Sequence, residues 1–163
     1  MSSKPNEPSS PACLAHEADD AYMGYAPRAE IAAFLNELLE AERAGTGVAL
    51  KSAADAAGSP YADLLRDVHK DEARWCAMLL KQLKALGAPA STKVGAFQEK
   101  CLAIPGMEER IAFLNRGQGW VVKKLKEMIP RVRDDALHAD LTAMLTSHEV
   151  NISRANEALG ASR

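Results

Sequence analysis

At 163 residues with a formal net charge of −2, the chain is long enough for one sizeable hydrophobic core and short for two. Lys and Arg number 20 against 22 Asp and Glu, so no global field recruits nucleic acid or an anionic membrane. Partners must be argued locally. Cys13, Cys76 and Cys101 are an odd set without metal-ligand spacing and read as reduced thiols. No basic-then-apolar leader opens the sequence, and no run approaches the roughly 18 apolar residues of a spanning helix. A cytoplasmic protein without a membrane partner is expected.

Residues 1–20, rich in Pro, Ser and charge, have too few large apolar side chains to offset ordering entropy and read as a flexible tail. Residues 21–163 read as one domain. From Pro27 onward, Ala, Leu, Glu and Lys dominate and β-branched clusters are sparse, which predicts an all-α fold. The first helix is predicted from Pro27 to about Ala57, ending at Gly58. Ser59-Pro60 then supplies a cap and a first-turn proline for the second, which Gly87-Ala88-Pro89 stops. The third runs from Pro105-Gly106 to near Pro130, and the fourth from Asp134-Asp135 to about Gly160. Between the second and third, residues 90–105 hold a weaker helical piece, KVGAFQEKCLA. At ~1.5 Å per helical and ~3.3 Å per extended residue this link covers roughly 35 Å, enough for a crossover along the length of a bundle.

Steps of three and four residues trace one apolar stripe per helix. The first carries Ile31, Leu35, Leu38, Glu42, Gly45 and Ala49; the second carries Leu65, Val68, Glu72, Trp75, Leu79 and Leu83. The third holds Met107, Ile111, Leu114, Gln118, Val121, Leu125 and Met128. The fourth holds Leu141, Met144 or Leu145, His148, Ile152 and Ala155. Each stripe is interrupted by a polar side chain. Ile31 and Met107, Glu42 and Gln118, Leu65 and Leu141, and Glu72 and His148 all stand 76 residues apart. The repeated AFLN at 33–36 and 112–115 suggests a competing offset of 79, which aligns four letters but not the stripes. In the 76 register, Glu42, Glu72, Gln118 and His148 form one polar layer at mid-height.

LNELLEAE, residues 35–42, resembles the first helix of bacterioferritin-type proteins, L-N-x-x-L-x-x-E, whose final glutamate binds iron. DEARW (71–75), followed by LL and LGAP, resembles their second helix, D-E-x-x-H with a later G-x-P. LLEAERAG, DEARWC and LNRGQGWVV are also similar to segments of a small bacterial ferritin-like family. The resemblance spans residues 28–158 and implies a ferritin-like four-helix bundle with a long link, containing a short helix, between its second and third helices. It also implies iron or manganese ligands at Glu42 and Glu72. Trp75 stands where the second-helix histidine belongs. SHEVNI matches the fourth-helix E-x-x-H through Glu149 alone, with Ile152 in place of its histidine. No glutamate occupies the inward mid-point of the third helix, where Arg116, Gln118 and Val121 are the choices.

Two functions stay open. A divalent ion held by Glu42, Glu72, His148 or Glu149, with His69 three residues before Glu72, would make a metal-dependent redox or oxygen-handling protein. The reading that Trp75 and Ile152 favour is a non-catalytic bundle with a degenerate carboxylate layer, the acids protonated or paired with Arg43, Arg74 or Arg116, that binds a partner or small molecule. Glycines in GTG (45–47) and GQG (117–119) each cost ~1 kcal/mol in a helix. They imply either a small pocket beside the layer or close packing of backbones, the latter favoured. Lys123, Lys124, Lys126, Arg131 and Arg133 around Trp120 read as a solvated basic face rather than an anion site, and His138 as solvent-facing. Exposed alanines on the first helix and the weak piece at 93–103 offer apolar surface that, together with the resemblance, implies a homodimer.

Overall fold

The computed structural model of the protein describes residues 20–161; among them regular structure is helical, with no strand. The predicted tail, with Cys13 and His16, lies outside the described residues except for Asp20, which opens a helical turn and pairs with Arg133. The helices are α1 (Arg28–Asp55), α2 (Ala62–Ala85), α3 (Phe97–Leu102), α4 (Met107–Met128) and α5 (Asp135–Ala161). A 3-10 turn, Ile129–Arg131, takes up Pro130.

Most helix ends follow the predicted punctuation. Pro27 is extended just before α1. Gly87, at φ 64°, closes α2: its N–H donates to the Lys84 carbonyl and that of Ala88 to the Leu83 carbonyl, the paired bonds of a left-handed C-terminal cap. Asp134 Oδ1 accepts the Leu137 N–H at 2.7 Å and caps α5. Ser59 differs from expectation. Its hydroxyl accepts the Tyr61 N–H inside the turn, and α2 starts only at Ala62 without a side-chain cap.

Helix directions follow from which halves share apolar contacts. One cluster joins Leu35 and Leu39, early in α1, to Leu79 and Leu83 late in α2, Leu125 and Met128 late in α4, and Leu137 and Leu141 early in α5. The other joins Val48 and Ala53, Leu64 and Leu65, Ile111 and Leu114, and Ala155. Neighbours α1 and α2 are therefore antiparallel, as are α4 and α5, while α2 and α4 point the same way. Leucines fully buried in these clusters each contribute ~2 kcal/mol of apolar transfer.

Because α2 ends and α4 begins at opposite ends of the helix pack, residues 86–106 must return along its length. They do so on α1. Asn36 donates to the Pro89 carbonyl at 3.0 Å and accepts the Ser91 N–H at 2.7 Å. The Ser91 hydroxyl donates to Glu40 at 2.5 Å, Arg43 donates to the Ser91 and Lys93 carbonyls, and the Gly95 N–H reaches the Glu40 carbonyl. Helix α3 then packs on α1 and α4, burying Cys101. At its far end Arg110 holds the Ile104 carbonyl and Asp55, both at 2.9 Å. Among the described residues no helix is long and apolar enough to cross a membrane.

Candidate functional site: a pocket on the buried polar layer

Glu42, Glu72, Gln118 and His148 are 2%, 3%, 3% and 2% exposed, and all four border one pocket of about 450 Å³. They sit between the two apolar clusters, at mid-height of α1, α2, α4 and α5 respectively. The stripes explain the burial. At each of these positions the sequence keeps the 3.6-residue phase of its helix but substitutes a polar side chain, which turns inward with its apolar neighbours.

His148 is fixed at both ring nitrogens. Nδ1 lies 3.0 Å from the Met144 carbonyl, which only accepts, so Nδ1 carries a proton; Nε2 lies 3.1 Å from Glu42 Oε1. A proton is thus held between imidazole and carboxyl. Burial alone would lower the His148 pKa, but the Glu42 charge and hydrogen bond, with the Met144 carbonyl, hold it above its ordinary value. Glu72 is different. Burial, reinforced by the charges of Glu42 and Asp71, pushes its carboxyl well above the usual range. No protein group hydrogen-bonds Glu42 Oε2, Glu72 Oε2 or Gln118 Oε1.

The pocket exists because two glycines withhold side chains and the α2–α4 link lays a rim. A Cβ at Gly45 would collide with the Glu72 carboxylate, so the bare backbone there leaves that acid its place. A Cβ at Gly117 would lie 2.6 Å from the tip of Phe97. Phe97 stacks on Phe113 with ring centroids 5.0 Å apart, and the two rings and Trp120, with Leu114 and Val121, form most of the apolar lining. Arg116 borders the same opening with its guanidinium 4.9 Å from the Phe113 ring. Gly45 and Gly117 thus serve the pocket, Gly47 serves packing, since a Cβ there would strike the Gln98 side chain, and Gly119 has open space where its Cβ would be.

Other predicted residues lie elsewhere. Glu149 is on the outer face of α5, 48% exposed and 2.6 Å from Lys126, and does not join the layer. His69 Nδ1 is 3.2 Å from the Thr46 carbonyl, outside the pocket. Neither Arg43, Arg74 nor Arg116 pairs with Glu42 or Glu72: Arg43 binds the link carbonyls, and Arg74 lies over the Trp75 ring at 4.2 Å and 3.4 Å from Asp71. His138 is exposed. Around Trp120 the cations are largely taken, Lys124 by Glu37, Lys126 by Glu149, Arg131 by Glu30 and Arg133 by Asp20. Burial raises the Cys76 and Cys101 thiols to about 11, which leaves them unreactive near neutrality.

One network escaped sequence reading. The Trp75 indole N–H donates to the Ser147 hydroxyl at 3.3 Å; that hydroxyl donates to Asp71 Oδ2 at 3.2 Å, which also accepts from Asn151 at 3.1 Å. Asn151 is buried and Ile152 only half-buried, since α5 steps three residues rather than four after His148. The signal was present: a buried Trp needs an acceptor, and Ser147 faces it.

This donor set does not fit the di-metal centre that the bacterioferritin resemblance implies. Trp75 offers an indole donor in place of imidazole, Gln118 an amide in place of carboxylate, and both nitrogens of His148 are engaged. Among the described residues no three His, Cys, Asp or Glu converge at metal-binding distance. No curated protein and no solved structure matches the chain. Residues 29–157 match the family model described as Domain of unknown function (DUF6306), and the chain belongs to that family.

Proposed function

We propose that the protein is a ferritin-like four-helix bundle, its α2–α4 link a crossover, whose mid-height carboxylate layer has lost the di-metal chemistry and binds a small molecule. One observation carries the reading: a pocket of about 450 Å³, within the size range of ligand sites, is bordered by Glu42, Glu72 and Gln118, which each keep a buried oxygen that no protein group satisfies. Metal analysis of protein purified without a metal-affinity tag, with thermal unfolding in the presence and absence of chelator, tests it. The expected result is substoichiometric iron and manganese and an unchanged unfolding midpoint. Stoichiometric iron or manganese held through Glu42 and Glu72 overturns it in favour of a metal-dependent redox protein.

A homodimer through α1 and α2 is proposed alongside. Leu50 and Leu80, with Ala54, Ala73 and Ala77, are exposed on these two helices and gain from burial against a second copy. Light scattering that finds only monomer at micromolar concentration counts against it.

A further inference from the structure

The pocket's chemistry is lopsided. At its deep end stand Glu42, Glu72 and Gln118, side chains nine-tenths or more buried, whose Oε2, Oε2 and Oε1 have no protein donor. Its outer part presents rings, with the Arg116 guanidinium beside them. Resting on the small-molecule reading above, we propose that the pocket takes a primary monoamine, its ammonium group among these three oxygens and a single apolar body against Phe97, Phe113 and Trp120.

The assignment follows from counting donors. An ammonium brings three N–H donors and no acceptor, matching three side chains with an oxygen that can accept: the Glu42 carboxylate, the Gln118 amide and, through its lone pairs, the neutral Glu72 carboxyl. An alcohol brings one donor and adds lone pairs that face other lone pairs. A carboxylate brings acceptors only and meets Glu42 directly. Burying an ammonium is tolerable only beside a carboxylate that hydrogen-bonds it, and Glu42 keeps Oε2 available because His148 takes only Oε1. Aromatic faces near the cation add to the attraction. Arg116 sets the other limit. Its guanidinium at the Phe113 ring repels a second positive charge in the outer part, which selects a monoamine over a diamine.

The test is titration of the full-length protein with 2-phenylethylamine, 2-phenylethanol, 3-phenylpropanoate and 1,4-diaminobutane, read by calorimetry and by tryptophan fluorescence, the Trp120 share being the part lost in Trp120→Leu. The amine is expected to saturate one site, bind about ten-fold or more tighter than the alcohol, and outcompete the diamine, while the carboxylate fails to saturate. Gln118→Leu should weaken the amine by about five-fold or more through the lost acceptor. Trp120→Leu, at a 40% exposed rim position whose change leaves the fold intact, should weaken it about three-fold. Glu149→Gln should leave it unchanged. Alcohol, carboxylate or diamine binding as tightly as the amine, amine binding indifferent to both pocket variants, or no binding by any probe overturns the inference. The two readings fail separately: a carboxylate or alcohol that binds and shifts Trp120 removes the ammonium assignment and keeps the small-molecule site, whereas stoichiometric metal removes the site's reading itself.

Discussion

The helix pairs α1–α2 and α4–α5 share a burial pattern and divide its chemistry between them. At the 76-residue offset Leu65 and Leu141, Val68 and Met144, Glu72 and His148, and Trp75 and Asn151 are all buried pairs, as are Glu42 and Gln118 and Gly45 and Val121. The first pair puts acids into the layer; the second puts an amide and an imidazole there. Joined by the His148–Glu42 contact, they form a layer in which one acid has a partner and the other, Glu72, lives without one. Equal burial therefore does not mean equal cost: the paired acid depends on its partner, and the unpaired acid depends on remaining neutral.

That difference is most sharply broken at His148. His148→Ala should destabilise the protein by about 3–5 kcal/mol in chemical denaturation, because Glu42 is left buried without its proton-sharing partner. Adding Glu42→Gln should recover part of the loss, and a double-mutant cycle that finds the two changes additive refutes the coupling.

Exchanging the side chains at the glycine pair comes next. Val121→Gly removes a buried side chain and places glycine mid-helix, for a loss of about 3 kcal/mol. Gly45→Val should cost about 2 kcal/mol, since the new Cβ lies where the Glu72 carboxylate now sits and that acid must move. A Gly45→Val protein as stable as the parent, with unchanged probe binding, shows that the glycine is not holding space for Glu72.

Much of this layout is legible before any coordinates. Proline and glycine act locally, so Pro27, Gly87, Pro105-Gly106 and Pro130 mark helix ends within a few residues. Periodicity is also local to each helix, so the polar interruptions at 42, 72, 118 and 148 can be read as inward-facing. The pocket is not local. It depends on residues 89–98 lying along α1 and on Phe97 meeting Gly117, contacts between segments 20 to 55 positions apart that no stripe encodes. The same limit hid Asn151 behind Ile152, because a one-residue drift of phase along α5 changes which neighbour turns inward, while Glu149 comes from the family resemblance and not from the stripe.

Glu72→Gln separates the two acids by pH. Both the Glu72 and His148 pKa values are raised, so the folded protein holds more protons than the unfolded chain. Stability from these groups is full below the unfolded values of 4.5 and 6.5 and declines as pH rises through the higher folded ones. Groups facing His148 are Glu42 and Asp71, and those facing Glu72 are the same two acids. The parent should unfold at lower denaturant concentration at pH 8 than at pH 5.5. Glu72→Gln should be neutral at low pH and gain about 1 kcal/mol at pH 8, where an amide is easier to bury than a carboxylate. A variant that loses stability at pH 8 means that Glu72 is ionised and paired after all.

The smallest effect is expected at Glu149, and it sharpens the comparison because the family resemblance and the structure disagree there. Its counterpart 76 positions earlier is Ala73, also exposed, so this position faces outward in both halves. Lys126 meets Glu149 at 2.6 Å, but the two side chains are 57% and 48% exposed, where water and salt screen the attraction and ordering two long side chains offsets much of it. Glu149→Ala should therefore change stability by less than about 0.5 kcal/mol, diminishing further in high salt. Bound metal should not change either, as the residue is turned to solvent beside Lys126 and does not border the pocket. A large loss of stability, or a metal content that falls with Glu149→Ala, would place Glu149 in the layer and undo the outward equivalence of positions 73 and 149.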